Sequence, residues 1–401
     1  MFETIIRWLC FFGGITMVIA TARSIVGTII IPRSTKSQIV YRAWYFIHSI
    51  YQFRARRLQD YSRQDAMLSS LGATSLVFML IVWILFFLIG YALMFLPFIP
   101  GGLNEALFIS GSSIFTLGIF SSARPGPVII EFLASVTGLI VIALQVGYLP
   151  TIYGAYNRRE TLVTALSGRA GDPAWGPEIL ARHQLDGTLS GMGKLYSDWE
   201  TLAADINETH SSYPWLIVFR SPEPLHSWVT SLLAILDSAA LYLALSPTLS
   251  PMEARQCLRM GFLCLRKVTK VVGVDAEVND DPRPDDPIKL TYEQFSLGVQ
   301  HLRLTGFPIE RTTEEAWIHY KGWRVNYEAA AYALAEFAVA VPAPWSGVRL
   351  ATTTTVLDVI HNRPRHRTPE DLEGNQVRQL ENEEHAYMDE DSRSHHVHTT
   401  V

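Results

Sequence analysis

Apolar residues in this chain gather into a few long blocks instead of alternating with polar ones. Leu71 to Leu96 carries no charge and only scattered Ser, Thr and Gly. At about 1.5 Å per residue, a helix of that length exceeds the roughly 30 Å hydrocarbon core of a bilayer. Val128 to Tyr148 is a second such block, with one charge, Glu131, near its start. Trp8 to Ile31 is a third, and its Arg23 lies near one end, where a long stem reaches the interface. The pattern predicts membrane helices over 71–96 and 128–148 and an N-terminal transmembrane helix within 1–32. A cleaved signal peptide is the alternative for the first block, with Arg7 as its basic start and Ala20-Thr21-Ala22 as its cleavage pattern.

Residues 104–121, between the two later blocks, are too short and too polar to cross a bilayer themselves. Gly101-Gly102 breaks the preceding helix, and Asn104 is placed to cap a short helix from Glu105 to about Phe115. The C-terminal end of such a helix carries partial negative charge that favours a cation beyond it. Thr116 offers a carbonyl and a hydroxyl oxygen, and Gly118 reaches backbone angles that a residue with a Cβ adopts only at a cost. Pro125 and Pro127 then redirect the chain into the last span. Non-helical backbone at membrane depth is tolerated only where protein or water covers it. Lining an ion path with carbonyl oxygens is one use for it, so the pattern points to a channel and away from an enzyme.

Charge sets the topology. The link 33–70 holds Arg33, Lys36, Arg42, Arg54, Arg56, Arg57 and Arg63 against Asp60 and Asp65. The positive-inside rule makes this link cytoplasmic, and Arg158, Arg159 and Arg169 place the stretch after the last span there too. The expectation is a multi-pass protein of the cell membrane with its N-terminus outside, the 104–121 loop outside and the remainder cytoplasmic. Within the link, Ile39, Trp44, Phe46, Ile47, Ile50 and Phe53 recur at roughly helical spacing. An amphipathic helix on the anionic leaflet and a solvated connecting helix packed on the protein both fit.

Overall the chain of 401 residues is 49% apolar and 18% charged, with a formal net charge of −5 that argues against nucleic acid as a partner. From 154 to 360 its composition becomes that of a helical cytoplasmic domain, with helices expected near 159–166, 177–185, 197–209, 228–245, 252–271, 291–302 and 314–337. Trp228 to Leu245 is apolar enough for a fourth span, but Asp237 at its centre and its short length favour a buried core helix. The Ser212–Ser221 segment is either an aromatic docking surface or packing core. Cys10, Cys257 and Cys264 are too few for a disulfide framework. Ser190-Gly191-Met192-Gly193-Lys194 lacks the first glycine of a phosphate loop, because Thr188 stands there. His183, His210, His226, His301 and His319 show no metal spacing. The stretch 361–401, ending with His395, His396 and His398, has the composition of a disordered tail. No nucleophile, base or metal set suggests catalysis, and no cofactor is implied.

Around 71–160 the chain resembles the pore module of the tetrameric potassium channel superfamily. Ala106-Leu107-Phe108-Ile109-Ser110 falls where that family has an Ala-Leu-aromatic-aromatic-Ser pore helix. Thr116-Leu117-Gly118-Ile119-Phe120 falls on its Thr-Val-Gly-Tyr-Gly filter, and the last span resembles the inner helix of two-span bacterial members. The resemblance implies an all-α membrane protein with an extra N-terminal span, assembled as a homotetramer in the lipid bilayer. It implies a pore module over 71–153 and passive conduction of a monovalent cation, chiefly potassium. Thr116, Leu117, Gly118, Ile119 and Phe120 would form the filter. Gly138 stands where inner helices of the family bend, although glycine also serves close packing, and Gln145 would line the pore or face a neighbouring helix. Ser121, Arg124 and Glu131 would lie at the outer mouth. Ile119 replaces the family's aromatic residue, Phe120 its second glycine and Ser121 its Asp. The outer ion sites are therefore expected to differ, leaving selectivity open. A membrane-anchored scaffold or signalling protein with a non-conducting loop is the alternative, and a cytoplasmic regulator of the helical domain is unidentified.

Overall fold

The computed structural model describes residues 2–31, 37–55, 57–58, 61–121, 125–276 and 278–347. Arg124 and the tail expected at 361–401 lie outside them. The described residues are all-helical, with no strand among them. Four helices are long and apolar enough to cross a membrane: Phe2–Ile30, Tyr61–Phe95, Gly126–Ala170 and Trp228–Leu245. The chain divides into two compact units, 1–58 with 67–156 and 212–219, and 59–66 with 157–211 and 220–401.

In the first unit, α1 (Phe2–Ile25), continued by a π-turn at Val26–Ile30, packs along α4 (Leu71–Phe95). Apolar helices gain no hydrophobic advantage from one another in lipid, so close contact at small residues carries their association. Gly14 and Gly90 provide it: a Cβ on Gly90 would stand 2.9 Å from Val18 Cγ2. Arg7 Nη1 donates to the carbonyls of Ile99 (2.9 Å) and Leu96 (3.3 Å), two acceptors left over where α4 ends. Near the other end of α1, Trp83 Nε1 donates to Ser24 Oγ at 3.2 Å. The link supplies α2 (Gln38–Ala55); α3 (Tyr61–Leu68) belongs for the most part to the second unit. A short helix, α5 (Gly102–Ile114), stands between α4 and α6 (Pro125–Ala170). The inner helix expected at 128–148 is thus far longer, because the helical pattern runs on through Pro150. A 3₁₀ turn at Pro214–Val218 completes the unit, with Trp215, Leu216, Ile217 and Val218 buried. Phe219 packs against Tyr153 and Tyr156, with ring centroids 6.1 and 5.7 Å apart. The aromatic segment is packing core.

The second unit is built on α9 (Trp228–Leu245), every residue of which is buried. Its most hydrophobic window is 100% enclosed by protein, against 11–39% for the other three apolar helices. Around it lie α7 (Gly176–Leu185), α10 (Glu253–Val272), α12 (Thr313–Arg324) and α13 (Glu328–Phe337). Two further helices, α8 (Met192–Ser212) and α11 (Tyr292–Leu304), complete it. Capping boxes start α11 at Thr291 with Gln294 and α12 at Thr312 with Glu315. Cys257 and Cys264 are free thiols buried on α10, and burial pushes both thiol pKa values up.

The helix expected over 314–337 is two helices, broken at 325–327 where side chains turn into a buried ionic cluster. Asp237 Oδ1 accepts from Arg324 Nη1 (2.5 Å), Tyr327 OH (2.8 Å) and Tyr320 OH (3.1 Å). Arg324 also donates to Glu328 Oε1 (2.8 Å) and to the carbonyl of Trp345 (2.6 Å). Glu328 in turn accepts from the amides of Lys289 (2.5 Å) and Leu290 (3.0 Å). Burial works to lower the Arg324 pKa, but Asp237 and the phenolic oxygens around it outweigh that and hold it well above its ordinary value. Burial, reinforced by Asp237, pushes Tyr327 well up. Replacing Arg324 by Met leaves two carboxylates buried without a cation. Removing one partner of a buried pair costs about 3–5 kcal/mol, whereas an apolar replacement of both is often near neutral. Arg324→Met is therefore expected to lower the thermal midpoint sharply, and Asp237→Leu with Arg324→Met to recover the part of the loss due to Asp237, while Glu328 keeps only its two amide donors. A double variant no better than the single one overturns this account.

A second buried cluster joins α6 to α8. His210 Nε2 lies 2.9 Å from Arg159 Nη1, and Arg159 Nε donates to Glu160 Oε1 at 2.7 Å. To accept from a guanidinium the imidazole must be neutral. Burial, with Arg159 adding to it, holds its pKa well below the ordinary 6.5. Below pH 6.5 the unfolded chain gains a proton that folded His210 refuses, so stability falls as pH falls, by up to about 1.4 kcal/mol per pH unit. His210→Gln is expected to flatten the thermal-midpoint curve between pH 7 and 5. An unchanged acid slope removes His210 from the account.

Candidate functional site

The loop after α5 is built from the helix outward. Asn104 does not cap α5, which begins two residues earlier; the Glu105 carboxylate reaches back instead and accepts from the Gly101 amide at 2.8 Å. That carboxylate stands at the positive end of the helix dipole. Ala106, Ile109, Ser110, Ser112, Ser113 and Ile114 are the buried face of α5. Polar side chains on such a face act as glue between helices. Ser110 Oγ donates to the Leu88 carbonyl of α4 at 2.8 Å. Tyr91 OH and Thr137 Oγ1, 2.7 Å apart, join α4 to α6.

The helix ends at Ile114, and the backbone reverses hand at once. Thr116 has φ 53° and Gly118 φ 67°, while Leu117, Ile119 and Phe120 are not in the left-handed region. Positive φ is cheap for Gly118 and strained for the β-branched Thr116, which is held by its amide donating to Ser113 O at 3.0 Å. Ser112 then ties down the loop at two points. Its carbonyl accepts from Leu117 N (2.8 Å) and its Oγ from Phe120 N (3.0 Å). The Phe120 ring folds back and stacks on Phe108 of α5, with centroids 5.3 Å apart. Thr116, Leu117, Gly118, Ile119, Phe120 and Ser121 are all exposed in the single chain, with Ile119 69% accessible.

Gly138 and Gln145 both lie on the buried face of α6 in the single chain. On α6 the buried stripe runs through Ile130, Ala134, Gly138, Val141, Gln145, Tyr148 and Ile152, at steps of three and four. Gly138 serves close packing: a Cβ there would overlap the Ile114 carbonyl at the end of α5. Gln145 is only 9% exposed and lies on the same buried stripe. Position along the helix leaves packing and lining open for both, and rotation about its axis places both on the side that packs in the single chain. Glu131 is half-buried near the start of α6. Support for the loop from Ser112 and Phe108 is not evident from sequence spacing. The one signal for it is the run of Ser110, Ser112 and Ser113 in an apolar helix.

Ser112→Ala is expected to keep α5 and to free the Phe120 amide. Hydrogen exchange at Phe120 should accelerate by about tenfold, the equivalent of a net hydrogen bond of about 1–1.5 kcal/mol. Unchanged protection would mean that Ser112 does not hold the loop. No family model, curated protein or solved structure matches this chain.

Proposed function

We propose that the chain is one subunit of a tetrameric cation channel whose conduction path is lined by the Thr116–Phe120 backbone. One observation carries this reading: a short helix between two apolar helices that ends in an exposed loop with left-handed residues at Thr116 and Gly118. Changing backbone hand at alternate residues turns successive carbonyls toward one side, which is what a dehydrated cation needs. The negative end of the α5 dipole lies at the same point. Exposure of the whole segment in the single chain suits an axis shared with other copies. The basic residues of the link favour an N-terminus outside and a cytoplasmic second unit.

Phe120 occupies the position where the resembled family has its outer glycine, and its backbone is not left-handed. The ladder therefore supplies inner sites at Thr116 and Leu117 and altered sites beyond them, so potassium selectivity falls short of ideal. Full-length protein in liposomes should carry monovalent cation flux, and the flux should vanish in Gly118→Val. Reversal potentials should track the potassium gradient only in part. No flux under varied voltage, pH and lipid sinks the channel reading in favour of a membrane-anchored scaffold. Ideal potassium selectivity sinks the account of Phe120.

A further inference from the structure

The link helix α2 has two faces of different character. Trp44, Ile47, His48 and Ala55 form its buried side. That side meets the end of α1 and the start of α4. Ser37 Oγ, just before α2, is 2.7 Å from Ser24 Oγ; Tyr51 OH donates to Thr74 Oγ1 at 3.2 Å; Phe46 stacks on Phe78 at 6.1 Å. The helix therefore sits beside the ends of two apolar helices, opposite the ends joined through Arg7 and Leu96. A bilayer crossed by α1 and α4 has its polar boundary at these ends.

The other face is left open. Tyr41, Tyr45 and Phe53 are 51%, 60% and 60% exposed, and Arg42, Arg54 and Arg57 are exposed beside them. From Ser37 to Leu58 there is no Asp or Glu. Tyr41 stacks on Tyr45 with centroids 6.4 Å apart, and the Arg57 guanidinium lies 4.3 Å above the Phe53 ring. Aromatic rings with a wet edge favour the headgroup level of a bilayer. Guanidinium forks match phosphate oxygens, and acid-free basic clusters beside a span attract anionic lipid. A water-facing helix would gain nothing from the four exposed apolar side chains of Tyr41, Tyr45, Ile50 and Phe53.

We propose that this outward face of α2 is a binding surface for anionic phospholipid, with Arg42, Arg54 and Arg57 holding headgroup phosphates and Tyr41, Tyr45 and Phe53 lying against the upper acyl chains. The proposal does not depend on conduction through the loop.

Full-length protein purified in detergent is titrated with phosphatidylglycerol or with phosphatidylcholine, and lipid retention is read by native mass spectrometry alongside the thermal midpoint. Phosphatidylglycerol is expected to be retained and to raise the midpoint, and phosphatidylcholine to do neither. Each arginine should contribute about fivefold in apparent affinity and the three together roughly a hundredfold, so Arg42→Gln, Arg54→Gln and Arg57→Gln combined should abolish the preference. The corresponding triple Lys variant, which keeps the charge, should retain it. Soluble glycerol phosphate should not compete, since it lacks the chains that Tyr41, Tyr45 and Phe53 would cover. Equal effects of the two lipids, or full phosphatidylglycerol preference in the triple Gln variant, overturn the proposal. Competition by glycerol phosphate would assign the site to a free anion and overturn it as well. So would a change in assembly mass in the triple Gln variant with lipid preference intact, because the face would then dock a second copy.

Discussion

Every backbone amide is an obligatory hydrogen-bond donor, and in the segment between α4 and α6 the loop amides find their partners within the protein. Ser112 supplies two, its carbonyl for Leu117 and its hydroxyl for Phe120, and Ser113 supplies a third for Thr116. The partners come from the last turn of α5, so the loop is as well placed as that helix. The helix in turn is fixed by Ser110 on the Leu88 carbonyl and by the bare backbone of Gly138 against Ile114. A chain of polar and close-packing contacts thus runs from α4 and α6 through α5 to the exposed residues.

The second unit solves a different problem with similar means. Its central helix is apolar enough to span a bilayer, yet it carries Asp237 at its middle, and protein encloses it on every side. Arg324, Tyr320 and Tyr327 satisfy that carboxylate, and the same arginine reaches Glu328 and the Trp345 carbonyl. Burying such a group is costly, so the cluster is weak evidence for added stability. Its consequence is register: α12 and α13 must present these side chains at one point on α9. The same logic gives α6 and α8 a fixed contact through Arg159 and neutral His210.

Much of this was readable one dimension at a time. Apolar length alone marked α1, α4, α6 and α9, because a helix without charge over that distance needs either lipid or protein around it. Gly101-Gly102 marked the break after α4 and Thr116-Leu117-Gly118 the stop of the short helix, whose start was expected at Glu105 and lies at Gly102. The capping boxes at Thr291 and Thr312 were equally open to reading from spacing, since a Thr with Gln or Glu three residues later satisfies two amides reciprocally. The break between α12 and α13 was not: Gly322 lies near it without standing at it, and its cause is a partner on α9.

Sequence by itself determined the helical class, the apolar helices and the odd chemistry of the loop, for these follow from local composition and from what each residue type permits the backbone. Tertiary structure decided which face of each helix is used. Gly138 and Gln145 lie on the packed stripe of α6, a matter of rotation about the helix axis that its uniformly apolar pattern does not record. Burial of α9 was likewise decided by its neighbours. Asp237 makes such a helix costly in lipid, but only the fold supplies the guanidinium and phenols that make it acceptable inside protein.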